Sequence, residues 1–263
     1  MTKILLAGCG KMGSAMLAGW LERGVEAADV VVVEPSMPDL GAVRVVASDA
    51  AIPSDFTPDV VIFAVKPQVM AEVVPPYARF GSAVYLSIAA GKTTAFFRNA
   101  LGAQAAIVRA MPNTPAAVRR GITVCCAEPS VPAGARHLCQ SLLEAVGEVG
   151  WVEDESLMDA VTAVSGSGPA YIFLLAEAME AAALAQGLPA ELARRLARAT
   201  VAGAGELLRQ SPESAAQLRK NVTSPGGTTA AALSVLMADS HGIPGLMTEA
   251  VAAATRRGRE LAG

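Results

Sequence analysis

A short apolar run that stops at a glycine-rich turn constrains the first half of this 263-residue chain. The run over residues 3–7 reads as a strand, and its residues Ile4, Leu5, Leu6 and Ala7 leave no polar position for a wet face, so the strand is expected to be buried on both sides. Gly8-Cys9-Gly10-Lys11-Met12-Gly13 follows, which is G-x-G-x-x-G. Helical spacing of Met16, Trp20 and Leu21 comes next, closed by Gly24 as a helix-stop signal. Strand, glycine turn and helix in that order form a dinucleotide-binding fingerprint. Gly8 permits the tight turn, Gly10 lets the backbone approach a pyrophosphate, and Gly13 lets helix and strand pack closely. The helix start beside Cys9, Lys11 and Met12 supplies free N–H groups and partial positive charge for phosphates.

Further apolar runs recur at Val30–Val33 and at residues 60–65, 83–88, 106–109 and 122–126. Runs of this kind, alternating with helical stretches, predict a parallel sheet covered by helices. The expected fold is α/β: an N-terminal Rossmann-type doubly wound sheet followed by an all-helical dimerisation domain. Near residue 155 the strand signals end. Helices are predicted over residues 158–187, 189–210, 214–220, 228–240 and 244–261, the first interrupted by Gly166-Ser167-Gly168-Pro169. The expected domains are residues 1–154, binding the dinucleotide, and 155–263, binding substrate and dimerising. The Ala- and Leu-rich helical half has apolar surface better suited to a second copy of itself than to water.

Glu34 ends the second run, 21 residues after Gly13. A carboxylate there accepts hydrogen bonds from the ribose hydroxyls of NAD and repels the 2′-phosphate of NADP; the alternative is a solvated strand-end carboxylate. Ser36 is placed to donate one hydrogen bond to a phosphate. Ala64-Val65-Lys66-Pro67 follows a strand, where ligands of this fold sit. There Lys66 reaches a cofactor ribose or the substrate, or is an ordinary surface lysine. Ala89-Ala90-Gly91 is small enough for a nicotinamide ring to lie on backbone.

Three loops in the later sequence are rich in polar groups. Met111-Pro112-Asn113-Thr114-Pro115 lines a small pocket or connects domains. Ser165-Gly166-Ser167-Gly168-Pro169 interrupts a helix and frees backbone groups. It lacks the glycine that a nucleophile elbow centred on Ser167 would need at position 165. Residues 221–229, Asn221-Val222-Thr223-Ser224-Pro225-Gly226-Gly227-Thr228-Thr229, offer backbone N–H groups, hydroxyls and a helix start. Such a nest receives a carboxylate without arginine, or is an N-cap turn with no ligand.

Composition narrows the chemistry. Charged residues are 17% of the chain and the net charge is −3, so no basic excess points to nucleic acid. Two His and four Cys leave few metal ligands, and no metal site is expected. Cys9, Cys125, Cys126 and Cys139 lack C-x-x-C spacing, and the expectation is reduced thiols in a cytoplasmic protein. Leu6-Ala7-Gly8-Cys9 imitates a lipoprotein box, but the apolar run before it is too short for a signal sequence. Residues 171–188 carry Glu177, Glu180 and Gln186 and are expected to form a buried helix of a soluble protein, not a membrane span.

Taken together, these motifs resemble the pyrroline-5-carboxylate reductase family over nearly the whole chain. Ser165-Gly166-Ser167-Gly168-Pro169-Ala170-Tyr171 and Thr223-Ser224-Pro225-Gly226-Gly227-Thr228-Thr229 carry most of the likeness. The resemblance implies reduction of 1-pyrroline-5-carboxylate to L-proline, the last step of proline biosynthesis, with NADPH or NADH. It implies homodimers through intertwined helical domains, often assembled into decamers. It implies that the Gly226-Gly227-Thr228-Thr229 region, with Ser224, holds the substrate carboxylate and that Asn221 contacts the cofactor. Thr229 is then expected to orient the substrate, with Ser165 and Asn113 shaping the pocket. Glu34 departs from the family, in which a neutral or basic residue often faces the ribose, so NADH is favoured here against a family leaning to NADPH. β-Hydroxyacid dehydrogenases share the two-part plan but typically carry a lysine shortly after a glycine motif. Here Gly168 is followed by Pro169-Ala170-Tyr171-Ile172-Phe173. A non-catalytic NAD(P)-binding regulator would keep residues 8–13 without needing residues 223–229.

Overall fold

The computed structural model describes residues 2–262. By contact density the chain divides into two compact units. One comprises the residues up to Gly166 together with the stretch from Ala254 onward; the other is Ser167–Ala253.

The first unit is built on an eight-stranded sheet. Its strands are β1 (Ile4–Ala7), β2 (Val30–Val33), β3 (Arg44–Val46), β4 (Val60–Phe63), β5 (Val84–Ser87), β6 (Ala106–Met111), β7 (Gly121–Ala127) and β8 (Gly147–Val152). Their spatial order is β3-β2-β1-β4-β5-β6-β7-β8. All neighbours are parallel except β6 and β7, which pair antiparallel. The first six strands follow the order of a Rossmann sheet, which reverses direction between β1 and β4. Every residue of β1, β2, β4 and β5 is buried, as the unbroken apolar runs require.

Two strands escaped the sequence reading. β3 has only three residues and begins with exposed Arg44, and β8 contains two glycines and an exposed Glu148. Both lie at the sheet edges, where strands need not be apolar on two faces. Alternate side chains divide the core. Leu6, Val32 and Ile62 pack on one face with Met16 and Trp20, while Leu5, Phe63, Tyr77, Tyr85 and Phe97 pack on the other. Helix α1 (Lys11–Glu22) covers the first face, and the Trp20 indole N–H donates to Leu142 O at 2.8 Å. Helices α2 (Met70–Val73), α3 (Thr94–Leu101) and α4 (Ala133–Leu143) complete the covering layers.

Beyond β8 come α5 (Met158–Val161) and a π-helical turn, Thr162–Gly166. The second unit contains α6 (Gly168–Ala185), α7 (Ala190–Gln210), α8 (Ala215–Asn221) and α9 (Thr228–Leu236), and α10 (Ile243–Ala262) begins within it. Helix α9 is shorter than the expected 228–240: Met237 already has non-helical backbone. Helices α6 and α7 pack together; Ala193 and Ala197, one turn apart, are buried and permit close approach, and Arg194 pairs with Glu180 at 3.3 Å.

The expectation of a buried helix across residues 171–188 is corrected. Helix α6 has no buried residue in the single chain, and Phe173 and Leu174 are 68% and 64% exposed. The helical run Glu155–Ala185 is long and apolar enough to cross a membrane by length and hydropathy alone. A helix apolar on all sides must nevertheless be covered by something other than water.

Candidate active site

The glycine loop sits where β1 meets α1, beside the end of β4, at the point where the sheet reverses order. Gly8 has φ +93°, a left-handed value that side chains disfavour. A Cβ there would stand 2.7 Å from Val65 Cγ1 and 2.9 Å from the Ala64 carbonyl. At Gly13 a Cβ would meet the Gly8 carbonyl oxygen at 2.5 Å. Gly10 is different: a Cβ would find nothing within 4 Å. Two of the glycines thus serve the protein's own packing, and the third opens a space at the exposed lip of the loop.

Gly10 is also the N-cap of α1, with no side-chain cap. The helix ladder begins with Ser14 N–H to Gly10 O at 2.9 Å. The amides of Lys11, Met12 and Gly13 therefore lack partners within the helix and form an anion-binding end. An uncapped helix start beside an open glycine fits a dinucleotide pyrophosphate. Ala64, Val65, Lys66 and Pro67 run off β4 next to this loop, Ala64 N–H donating to Ala7 O at 2.8 Å, and Lys66 is exposed. Ala90 is exposed on the loop after β5, with Gly91 at φ +73°.

Glu34 is held in place by the protein itself. One carboxylate oxygen accepts the Cys9 amide at 2.9 Å, and the other accepts the Ser36 hydroxyl at 3.1 Å. The Cys9 bond above all, with those from Ser36, holds this carboxyl below the usual glutamate range against a smaller effect of burial. Ser36, expected to reach a phosphate, turns its hydroxyl to Glu34 instead.

The loop after β6 places Asn113 at the start of a tight 3-10 turn, Thr114–Val118, and Asn113 Oδ1 accepts the Ile122 amide at 2.9 Å. In the π-turn, Ser165 Oγ donates to Val161 O at 3.0 Å. Single π-turns within helices mark functional sites more often than chance. Gly166 has the Met111 side chain against it: a Cβ would stand 2.5 Å from Met111 Cε. The sequence reading missed one cluster entirely. Glu155 accepts the Thr94 amide at 2.8 Å, the Thr94 hydroxyl at 2.7 Å and Arg109 Nη1 at 3.0 Å. It ties the loop after β5 to β6, and its sequence signal, an acid among acids at residues 153–155, is not distinctive.

In the second unit, Ser224-Pro225-Gly226-Gly227 forms a turn closed by Gly227 N–H to Ser224 O at 3.0 Å. Proline at its second position and Gly226 at φ +68° make it type II. Gly227 then caps α9 without a side chain. The first ladder bond is Ala231 N–H to Gly227 O, so the amides of Thr228, Thr229 and Ala230 lack partners within the helix. Thr229 is half-buried and Thr228 exposed. Asn221 bonds Gln217 at 2.7 Å and Glu213 at 3.0 Å.

A Rossmann sheet, an uncapped glycine loop at its reversal point and a following helical unit define a dinucleotide-dependent oxidoreductase. Comparison with known proteins gives the family. The pyrroline-5-carboxylate reductase dimerisation family matches residues 155–261, and the family described as NADP oxidoreductase, coenzyme F420-dependent, matches residues 3–91. Pyrroline-5-carboxylate reductase of Pseudomonas aeruginosa is 40% identical, over 99% of this chain and 97% of that protein. The Haemophilus influenzae enzyme is 38% identical, over 98% and 97%. Among solved structures, the Coxiella burnetii pyrroline-5-carboxylate reductase superposes with TM-score 0.92 at 35% identity, covering 99% of this chain and 98% of that one. The Plasmodium falciparum pyrroline carboxylate reductase, solved with NADP bound, gives TM-score 0.84 at 27% identity, covering 100% and 98%. The chain belongs to the pyrroline-5-carboxylate reductase family.

Proposed function

We propose that this chain reduces 1-pyrroline-5-carboxylate to L-proline by hydride transfer from NAD(P)H, the last step of proline biosynthesis. The carrying observation within the fold is the turn at residues 223–229, which ends in the uncapped helix start at Gly227. In this reading Ser224, Gly226, Gly227 and Thr228 surround the substrate carboxylate, which receives the free amides and the dipole of α9. The Thr229 hydroxyl orients the substrate ring. Ser165 and Asn113 shape the pocket, and Asn221 meets the cofactor.

Gly8, Cys9, Gly10, Lys11, Met12 and Gly13 hold the pyrophosphate, Glu34 the adenosine ribose, and Ala64, Val65, Lys66, Pro67 and Ala90 the nicotinamide half. A reduced dinucleotide held by these residues would supply the hydride that adds to the imine carbon. The protonated imine nitrogen keeps its proton and becomes the secondary amine of proline. A protonated imine is already electrophilic, so the protein's contribution is alignment of two reactants more than acid–base chemistry. That agrees with a chain poor in histidine.

The exposed apolar helices of the second unit are covered in a homodimer, which the match to a dimerisation family supports. Assembly of dimers into a decamer extends this reading. The four cysteines are free thiols, which supports a cytoplasmic setting. In this reading residues 1–154 bind the dinucleotide and residues 155–263 bind substrate and dimerise. The test is the purified chain with pyrroline-5-carboxylate and a reduced dinucleotide. Loss of nicotinamide absorbance with matching proline supports the reading, and oxidation of hydroxy acids without imine reduction overturns it.

A further inference from the structure

Resting on the reading as an NAD(P)H-dependent reductase, we propose that the segment from Glu34 to Val46 makes this enzyme select NADH over NADPH. Three observations meet here. First, Glu34 stands at the carboxyl end of β2 with its carboxylate fixed by the Cys9 amide at 2.9 Å and by Ser36 at 3.1 Å. Its charge lies on the cofactor loop itself and does not swing into solvent. Ribose hydroxyls donate to such a group, whereas a 2′-phosphate places up to two negative charges against it.

Second, β2 connects to β3 through ten residues, 34–43, with no helix. This short crossing is self-bonded: Met37 N–H donates to Glu34 O at 3.0 Å, and Gly41 N–H donates to Asp39 Oδ1 at 3.0 Å. It contains no Lys or Arg. From Gly24 to Val65 the chain has seven carboxylates and a single cation, Arg44.

Third, the strand register removes that cation from the site. Arg44 pairs with Val31 and Val46 with Val33, while the Glu34 amide donates to Val46 O at 2.9 Å. Arg44, level with Val31, therefore lies three residues, about 10 Å along the strands, back from the position of Glu34. A 2′-phosphate would meet a fixed carboxylate with no arginine or lysine from this segment to neutralise it.

The experiment measures binding and turnover separately. NADH and NADPH are titrated against the purified enzyme without substrate, with 5′-ADP and adenosine 2′,5′-bisphosphate as competitors, for wild type, Glu34→Gln and Glu34→Ala. The expected result is at least tenfold tighter binding of NADH and of 5′-ADP in wild type. The preference should fall to within a few-fold in both variants, mainly through improved binding of the phosphorylated members. Glu34→Gln preserves shape, so a folding defect in Glu34→Ala does not decide the matter. Equal or tighter NADPH binding by wild type overturns the inference, as does an unchanged preference in Glu34→Gln. Turnover with pyrroline-5-carboxylate reports independently: selective NADH binding without imine reduction defeats the proposed function and leaves this inference standing.

Discussion

Arg109 and Glu155 form an ion pair of 3.0 Å in which the arginine side chain is only 5% exposed. Glu155 also accepts the amide and hydroxyl of Thr94, the first residue of α3. One carboxylate thus neutralises a buried guanidinium and caps the helix that follows the loop at Ala90. Removing it leaves a buried charge uncompensated, which costs far more than the pair contributes. Glu155→Ala is expected to destabilise the protein by about 2–4 kcal/mol. Arg109→Met combined with Glu155→Leu is expected to cost clearly less than that single substitution. Chemical denaturation at fixed protein concentration measures both, and a double variant as unstable as the single one would refute the account.

The glycine loop separates folding from binding. At Gly13, alanine would press on the Gly8 carbonyl at 2.5 Å, so Gly13→Ala is expected to lower stability by roughly 1–3 kcal/mol through overpacking. At Gly10, alanine meets no protein atom within 4 Å. Gly10→Ala should cost no more than about 1 kcal/mol in stability, the difference between glycine and alanine as an N-cap. It should nevertheless lose about tenfold or more in reduced-dinucleotide affinity if the pyrophosphate binds at this loop as proposed, because the methyl would then stand in its approach. Thermal unfolding and cofactor titration on the two variants give opposite patterns if the glycines divide the work this way.

How much of this was legible follows from what each residue type encodes. The buried parallel strands were readable because a strand covered on both faces needs an unbroken apolar run, and β2 is four valines. β3 and β8 were not, because at a sheet edge the hydrogen-bonding partner defines the strand and composition says little. The glycine pattern located the turn between β1 and α1, but not that the Cys9 amide goes to Glu34, since that bond joins residues 25 apart in sequence. The Arg109–Glu155–Thr94 cluster was invisible for the same reason. Helix α6 misled because composition reports that a helix needs covering, not what covers it.

The cysteines predict an alkaline limit to stability. Burial holds the Cys139 thiol up at about 12 and pushes Cys125 well above its ordinary value of 9.0. In the unfolded chain these thiols ionise near 9, while in the folded protein they stay protonated. Their contribution is therefore complete below pH 9 and is lost as pH rises above it toward the folded values, at about 1.4 kcal/mol per pH unit for each thiol. Denaturation midpoints should fall steeply above pH 9, and Cys125→Ala should flatten that limb. At neutral pH, alkylation read by mass spectrometry should spare Cys125 and Cys139. Half-buried Cys9 should react slowly and be protected by NADH.

The turn before α9 predicts a division between positioning and backbone shape. Thr229 has its hydroxyl in the first turn of a helix whose leading amides have no partner within the helix. If that hydroxyl orients the substrate, Thr229→Ala loses a hydrogen bond to a charged ligand, about 1.5–3 kcal/mol, or roughly ten- to a hundredfold in kcat/KM. The loss should appear with the imino acid and leave cofactor affinity alone, and Thr229→Ser should restore most of it. Gly226→Ala works differently. Its φ of +68° penalises any side chain by about 1–2 kcal/mol, although a Cβ would find open space. The turn should relax toward another type and tilt the free amides, raising KM for the substrate more than it lowers kcat. Steady-state kinetics of the three variants separates these outcomes, and a Thr229→Ala enzyme with unchanged efficiency removes Thr229 from the site.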